Sequence, residues 1–203
     1  MLILPEELNT YDRFYRANLI NSLSGFKSVS LIGTKNEDGV SNLAVFSNIV
    51  HLGADPALIG FVNRPLEAAP HTIKNIETDG VYTINHVHSS WVAQAHQTSA
   101  KYPEGVSEFT ACGFTEEYLN DFAAPFVKES VIKYGMQLKE IIPIKHNNTF
   151  FVIGEVVMIH FPEELIATDG FIEADKAGSV CSLGIDGYYS TELITRLPYA
   201  KVK

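Results

Sequence analysis

Four groups of residues have the types and spacing to do chemistry. The run Ser41-Asn42-Leu43-Ala44-Val45-Phe46-Ser47-Asn48 interleaves amides and hydroxyls with residues of core type. As plain structure it is an edge strand whose polar side chains satisfy nearby backbone. As a site it is a ribbon of backbone N–H donors suited to a planar ring with carbonyl acceptors, of which a flavin is one. Arg64 follows an apolar run that ends at Val62-Asn63, and His71-Thr72 opens a helix-like stretch. A guanidinium beside a helix N-terminus is a recipe for phosphate, because a donor fork meets free N–H groups and the positive end of a dipole. Taken singly, a surface Arg and a Thr N-cap are the plainer readings. His86-Val87-His88, with His96 further on, would put two imidazoles on one strand face. No Cys, Asp or Glu lies between Gly80 and Ala100 to complete a metal set, so a core or ring-contacting role is expected. Lys101-Tyr102, in a loop, offers a second phosphate donor or a ring wall, or a plain solvated Lys.

Other chemistries find no support. There is no GxSxG elbow, no GxGxxG and no GxxxxGK[ST]. The pairs Glu6-Glu7, Glu116-Glu117 and Glu163-Glu164 sit at apparent helix ends, where carboxylates suit the dipole without catalysing anything. A net charge of −9 with no basic run argues against nucleic acid and against an anionic membrane surface. No apolar run approaches the ~20 residues of a membrane span, and the acidic Met1–Asp12 stretch does not read as a secretory signal, so a cytoplasmic protein is expected. The two cysteines, Cys112 and Cys181, read as reduced and structural.

The elements that must position these residues are mostly strands. Residues 5–22 have apolar side chains near helical spacing and are read as one amphipathic helix, ended by Gly25. Strands are expected over 28–34, within 40–50 in one or two pieces, over 57–62, 80–86, 131–142 and 149–161, with a short helix over 71–77. In 132–139 the alternation predicts Ile132, Tyr134, Met136 and Leu138 inward, with Lys133 outward. Residues 89–125 read as helical and loop excursions, with a loop over Tyr102–Gly105 and a capped short helix from Thr115; beyond Pro162 the chain is mixed, with Asp-Gly turns at 169 and 186. Quick successions of strands and polar turns favour an antiparallel barrel, and the chain is read as one domain over 1–203.

Taken in order, these pieces resemble the flavin reductase-like family of FMN-binding split barrels. The resemblance is carried by residues 25–34, Asp38-Gly39, 42–47, 55–61, 71–76 and 82–87, and it spans roughly 22–161. The stretch 95–103, Ala-His-Gln-Thr-Ser-Ala-Lys-Tyr-Pro, is similar to the flavoredoxin-like branch. The resemblance implies a mostly β split barrel with peripheral helices, with its core at about 26–161 and a C-terminal extension over 162–203. It implies a homodimer with FMN near the subunit interface, and an NAD(P)H-dependent hydride transfer to that flavin. An FMN electron-transfer protein without nicotinamide activity is the alternative. Asn42, Leu43, Ala44, Val45, Phe46 and Ser47 would contact ring and ribityl chain. Arg64, His71 and Thr72 would hold phosphate, with Lys101 and Tyr102 beside them and Asn85 and His86 near the site. Many relatives have Arg-Pro where this chain has Lys27-Ser28, which leaves Lys27 as a modest candidate. Relatives often carry a Pro where Ala57 stands here.

Overall fold

The computed structural model describes residues 1–103 and 105–202; Glu104, in the expected Tyr102–Gly105 loop, lies outside them. The chain opens with two short helices, α1 (Pro5–Leu8) and α2 (Arg13–Leu23), rather than the single helix that periodicity predicts. Asp12 is the reason: its carboxylate accepts from the Phe14 N–H at 2.8 Å and caps a new helix there. None of α2's side chains is buried, so its apolar stripe is not used inside this chain.

Strands β1 (Lys27–Ser28), β2 (Ser30–Lys35), β3 (Ser41–Phe46), β4 (Val50–Ala54) and β5 (Ala57–Asn63) follow, then α3 (His71–Asp79) and β6 (Val81–His86). Gly80, in the left-handed region at φ 72°, ends α3 and turns directly into β6. Two short helices, α4 (Val92–Gln97) and α5 (Glu108–Cys112), precede the two-residue strands β7 (Glu116–Glu117) and β8 (Phe126–Val127). The long hairpin β9 (Lys133–Ile144) and β10 (Thr149–His160) completes the main sheet, and β11 (Val180–Leu183) and β12 (Gly187–Ser190) form a C-terminal hairpin.

Seven strands make one antiparallel sheet in the order β3-β2-β6-β9-β10-β5-β4. Ile32, Phe61, Tyr82, Ile84, Met136 and Val152, from five of those strands, meet in one cluster, so the sheet curls around them. Ile73 and Ile76 of α3 join that cluster. The barrel is split between β3 and β4, which pair with no strand on their outer sides among the described residues. Two contacts span the split: the Phe46 and Phe61 rings pack edge to face at 5.0 Å, and Asn48 stands in for a strand, its amide donating to the Val62 carbonyl at 2.7 Å and accepting the Val62 N–H at 3.2 Å. Neighbouring Leu31 faces a second cluster outside the barrel, with Leu43, Val87, Trp91, Phe109 and Val180. β2 is thus apolar on both faces because both are covered. A smaller sheet, β1-β11-β12, closes the outer side. The fold is therefore the mostly β split barrel expected from the sequence.

Two local expectations fail for physical reasons. The segment from Thr115 is not a helix: Glu116-Glu117 pairs with Phe126-Val127 as a strand. Lys133 does not point to solvent; it is 2 % exposed, held by Glu117 and by the Val127 carbonyl at 3.1 Å. The excursion over 116–128 covers the face that alternation assigns to water, and a buried ammonium is tolerable only when paired and hydrogen-bonded.

Candidate functional site

Two side-chain bonds fix α3 against the edge of the barrel. Asn75 donates to the Thr34 hydroxyl at 3.0 Å and Asn42 donates to the Thr72 hydroxyl at 3.2 Å. All four residues are buried. The first turn of α3 is thereby held beside β3, with Pro70 at its N-cap and no side chain capping it. Its first N–H groups are the ones a helix leaves unpaired. Thr72 is the second helical residue and not the N-cap that its type suggests.

The loop leading to α3 is clamped as well. Asn63, fully buried at the end of β5, donates to the carbonyls of Arg64 at 2.8 Å and Ala69 at 3.1 Å, closing the 64–69 loop upon itself. The Arg64 guanidinium is exposed and makes no hydrogen bond or ion pair with the described residues. A rigid backbone thus presents an uncommitted fork next to an uncapped helix end.

β3 supplies the third part. Its inner edge pairs with β2, and its outer edge is open. Leu43 N–H leaves by the outer edge, donating to Glu108 Oε2 at 3.0 Å. Alternate residues of a strand send their N–H groups the same way, so Val45 N–H also points outward. Glu108, at the start of α5, is buried; burial pushes its carboxyl up, and the Leu43 N–H and nearby His71 oppose that shift. The hydroxyls of Ser41 and Ser107 lie 2.6 Å apart, and Ser41 also donates to Glu116, which fastens α5 to the start of β3.

These parts share one cleft of about 900 Å³. Of the residues singled out from the sequence, Lys27, Asn42, Ala44, Val45, Phe46, Ser47, Arg64, His71, Thr72, Lys101 and Tyr102 line it. Three others do not. Leu43 is wholly buried, its side chain in the outer cluster; only its backbone serves the edge. Asn85 is a structural amide, donating to the Leu31 carbonyl at 3.1 Å and accepting the Val127 N–H at 2.9 Å. His86 opens onto a separate pocket of about 370 Å³, with its Nδ1 3.1 Å from the Ser179 hydroxyl. Burial lowers its pKa to about 4. His88 Nδ1 is 2.8 Å from the Ser90 hydroxyl, and no group of three or more His, Cys, Asp or Glu among the described residues is placed to hold a metal.

Sequence reasoning passes over Glu108, Ser182 and Tyr188, all in the same cleft. Nothing local marks them, because α5 and the C-terminal hairpin reach the cleft only through the fold. Lys27 is present but engaged: its ammonium donates to the Asn21 carbonyl at 3.1 Å and the Ser24 hydroxyl at 2.8 Å. It complements the negative end of α2, leaving Arg64 and Lys101 as the cleft's cations without a partner among the described residues.

The donor set fits a planar ring with carbonyl acceptors that carries a phosphate, as a phosphorylated flavin does. Arg64, the α3 N-terminus and Lys101 suit a phosphate dianion, and the open β3 edge offers a backbone donor to a ring carbonyl. Comparison with known proteins gives the family. The family model of the flavin reductase like domain matches residues 26–174. A candidate flavin reductase with split barrel domain from Shewanella frigidimarina NCIMB 400 superposes with a TM-score of 0.95 at 48 % identity, over 98 % of this chain and 100 % of that one. Nitrilotriacetate monooxygenase component B from Bacillus cereus gives 0.85 at 23 % identity, covering 97 % and 98 % of the two chains. Flavoredoxin of Desulfovibrio vulgaris (Miyazaki F) gives 0.75 at 21 % identity, covering 87 % and 92 %. The last two likenesses are likenesses of fold.

Proposed function

This chain belongs to the flavin reductase-like family, and from that premise we propose that it is an FMN-binding oxidoreductase whose flavin is reduced by NADH or NADPH. The observation that carries the reading is the meeting, in one cleft, of an uncapped α3 N-terminus, the uncommitted Arg64 fork and the open edge of β3. Bound FMN supplies a ring that accepts a hydride from the nicotinamide. The protein's share is to hold and orient. Arg64, Lys101 and the α3 N–H groups anchor the phosphate, Asn63 and Asn42 keep that anchor rigid, and Val45 N–H sets the ring against β3. No side chain of the cleft has to move a proton at the transfer step, so positioning carries the catalysis.

We also read the protein as a cytoplasmic homodimer. Supporting this, α2 buries none of its side chains while Tyr15 is 57 % and Leu23 72 % exposed on one side of the helix, an apolar stripe that a second copy would cover. No helix among the described residues is long and apolar enough to cross a membrane.

Anaerobic mixing of the FMN-loaded protein with NADH or NADPH tests the function. Rapid bleaching of the flavin absorbance, with preference for one nucleotide, is expected. Binding without bleaching by either nucleotide favours the second reading, an electron-transfer protein whose net charge of −9 docks a basic protein donor.

A further inference from the structure

One end of the cleft is left unused by the flavin contacts described above. It is formed by Asn21 and Ser24 of α2, His96 of α4 and the C-terminal hairpin, which contributes Ser182, Asp186 and Tyr188. That hairpin lies beyond residues 26–174, the stretch that the family model matches.

Three observations mark this end as a built surface. Ser182 lines the cleft while only 4 % exposed, and its hydroxyl finds no hydrogen-bond partner among the described residues. A buried hydroxyl of that kind is unfavourable until something pairs with it. His96 Nδ1 and Tyr188 Oη lie 2.9 Å apart with their rings edge to face, joining α4 to the hairpin across 92 residues of sequence. The hairpin is therefore held in a set position. Finally, the end does not suit an anion. Two of the Lys27 ammonium's three protons go to Asn21 and Ser24, the negative end of α2 points here, and Asp186 adds a carboxylate. What remains is an unpaired hydroxyl, an acceptor carboxylate and two aromatic edges. That set is complementary to a planar ring bearing an uncharged primary amide, whose carbonyl takes the hydroxyl proton and whose NH₂ gives to a carboxylate.

We propose that the hairpin end, through Ser182 and the His96–Tyr188 pair, seats the carboxamide-bearing ring of the nicotinamide donor. Ser182 and Tyr188 are thereby specificity residues that do not serve the flavin. The inference rests on reading the rest of the cleft as the flavin site.

The test is binding and not turnover. The probe is 1,4,5,6-tetrahydro-NADH, which keeps the carboxamide but gives no hydride, titrated into FMN-loaded protein and followed by the change in flavin absorbance. Wild type should bind it. Ser182→Ala should weaken that binding roughly three- to tenfold, the loss of one hydrogen bond, and Tyr188→Phe should also weaken it by releasing the hairpin. FMN affinity, measured separately by fluorescence quenching, should stay within about twofold in both variants, which also reports that each folds. If wild type binds no FMN, the flavin reading itself fails and this inference with it. If wild type binds FMN but not the analogue, or both variants bind the analogue as wild type does, or both variants lose FMN, the flavin reading stands and the hairpin assignment is overturned.

Discussion

Arg64→Ala should weaken FMN binding by roughly ten- to a hundredfold, about 1.5–3 kcal/mol, without a matching loss of stability. The guanidinium makes no bond with the described residues, so its removal leaves no buried partner among them unmet. All of the loss therefore falls on the ligand. Because Arg64 is exposed, salt screens its charge, and the effect should sit at the low end of that range at high ionic strength. Arg64→Lys should recover part of the affinity, since it keeps the charge and gives up the fork. Fluorescence titration of FMN into the three proteins decides the matter. Equal affinities would remove Arg64 from the site and leave Lys101 and the helix end as the phosphate anchors.

The second large effect concerns stability and lies outside the cleft. Burial holds His86 neutral, taking its pKa from the ordinary 6.5 down to about 4. The unfolded chain protonates this imidazole near 6.5, while the folded chain resists until about 4. Its contribution is thus fully present above 6.5 and is lost as pH falls from 6.5 toward 4. At about pH 5 the loss should reach about 2 kcal/mol. His86→Gln, which carries no charge at either pH, should flatten the decline by that amount. Urea denaturation of both proteins at about pH 7 and about pH 5 checks it, and the carboxylates, common to both, cancel in the comparison. Parallel declines in the two proteins would show that His86 is not held neutral.

His86 also shows what a sequence can and cannot disclose. Its place on a strand was legible from the Val81–His86 run, and the strand is there. Its face was not, because both faces of β6 are covered and alternation then says nothing about which neighbour a side chain meets. The same limit explains Lys133. An alternating strand predicts its Lys outward, and only the long-range excursion over 116–128 buries it. Helix α2 fails differently, since a cap at Asp12 overrode a pattern that local periodicity carried through.

In the cleft, the residues found from sequence lie on β1, on β3 and just after it, on the Arg64 loop, at the start of α3 and in the Lys101 loop, all within runs having local signatures. Those missed come from elements whose path to the cleft is set by tertiary packing. The Asp186-Gly187 turn was readable as a turn, but nothing near it indicates that the hairpin around it packs on β1 and reaches His96. Glu108 was equally silent, an ordinary acid at a helix start until the fold sets it against the Leu43 N–H.

The most direct test of the central claim is the crystal structure of the protein with FMN. The expected result is a phosphate within hydrogen-bonding distance of the first N–H groups of α3 and of Arg64, with the ring lying along β3 and accepting from Val45 N–H. A flavin phosphate at the hairpin end, or crystals grown with saturating FMN that hold none in the cleft, would contradict it.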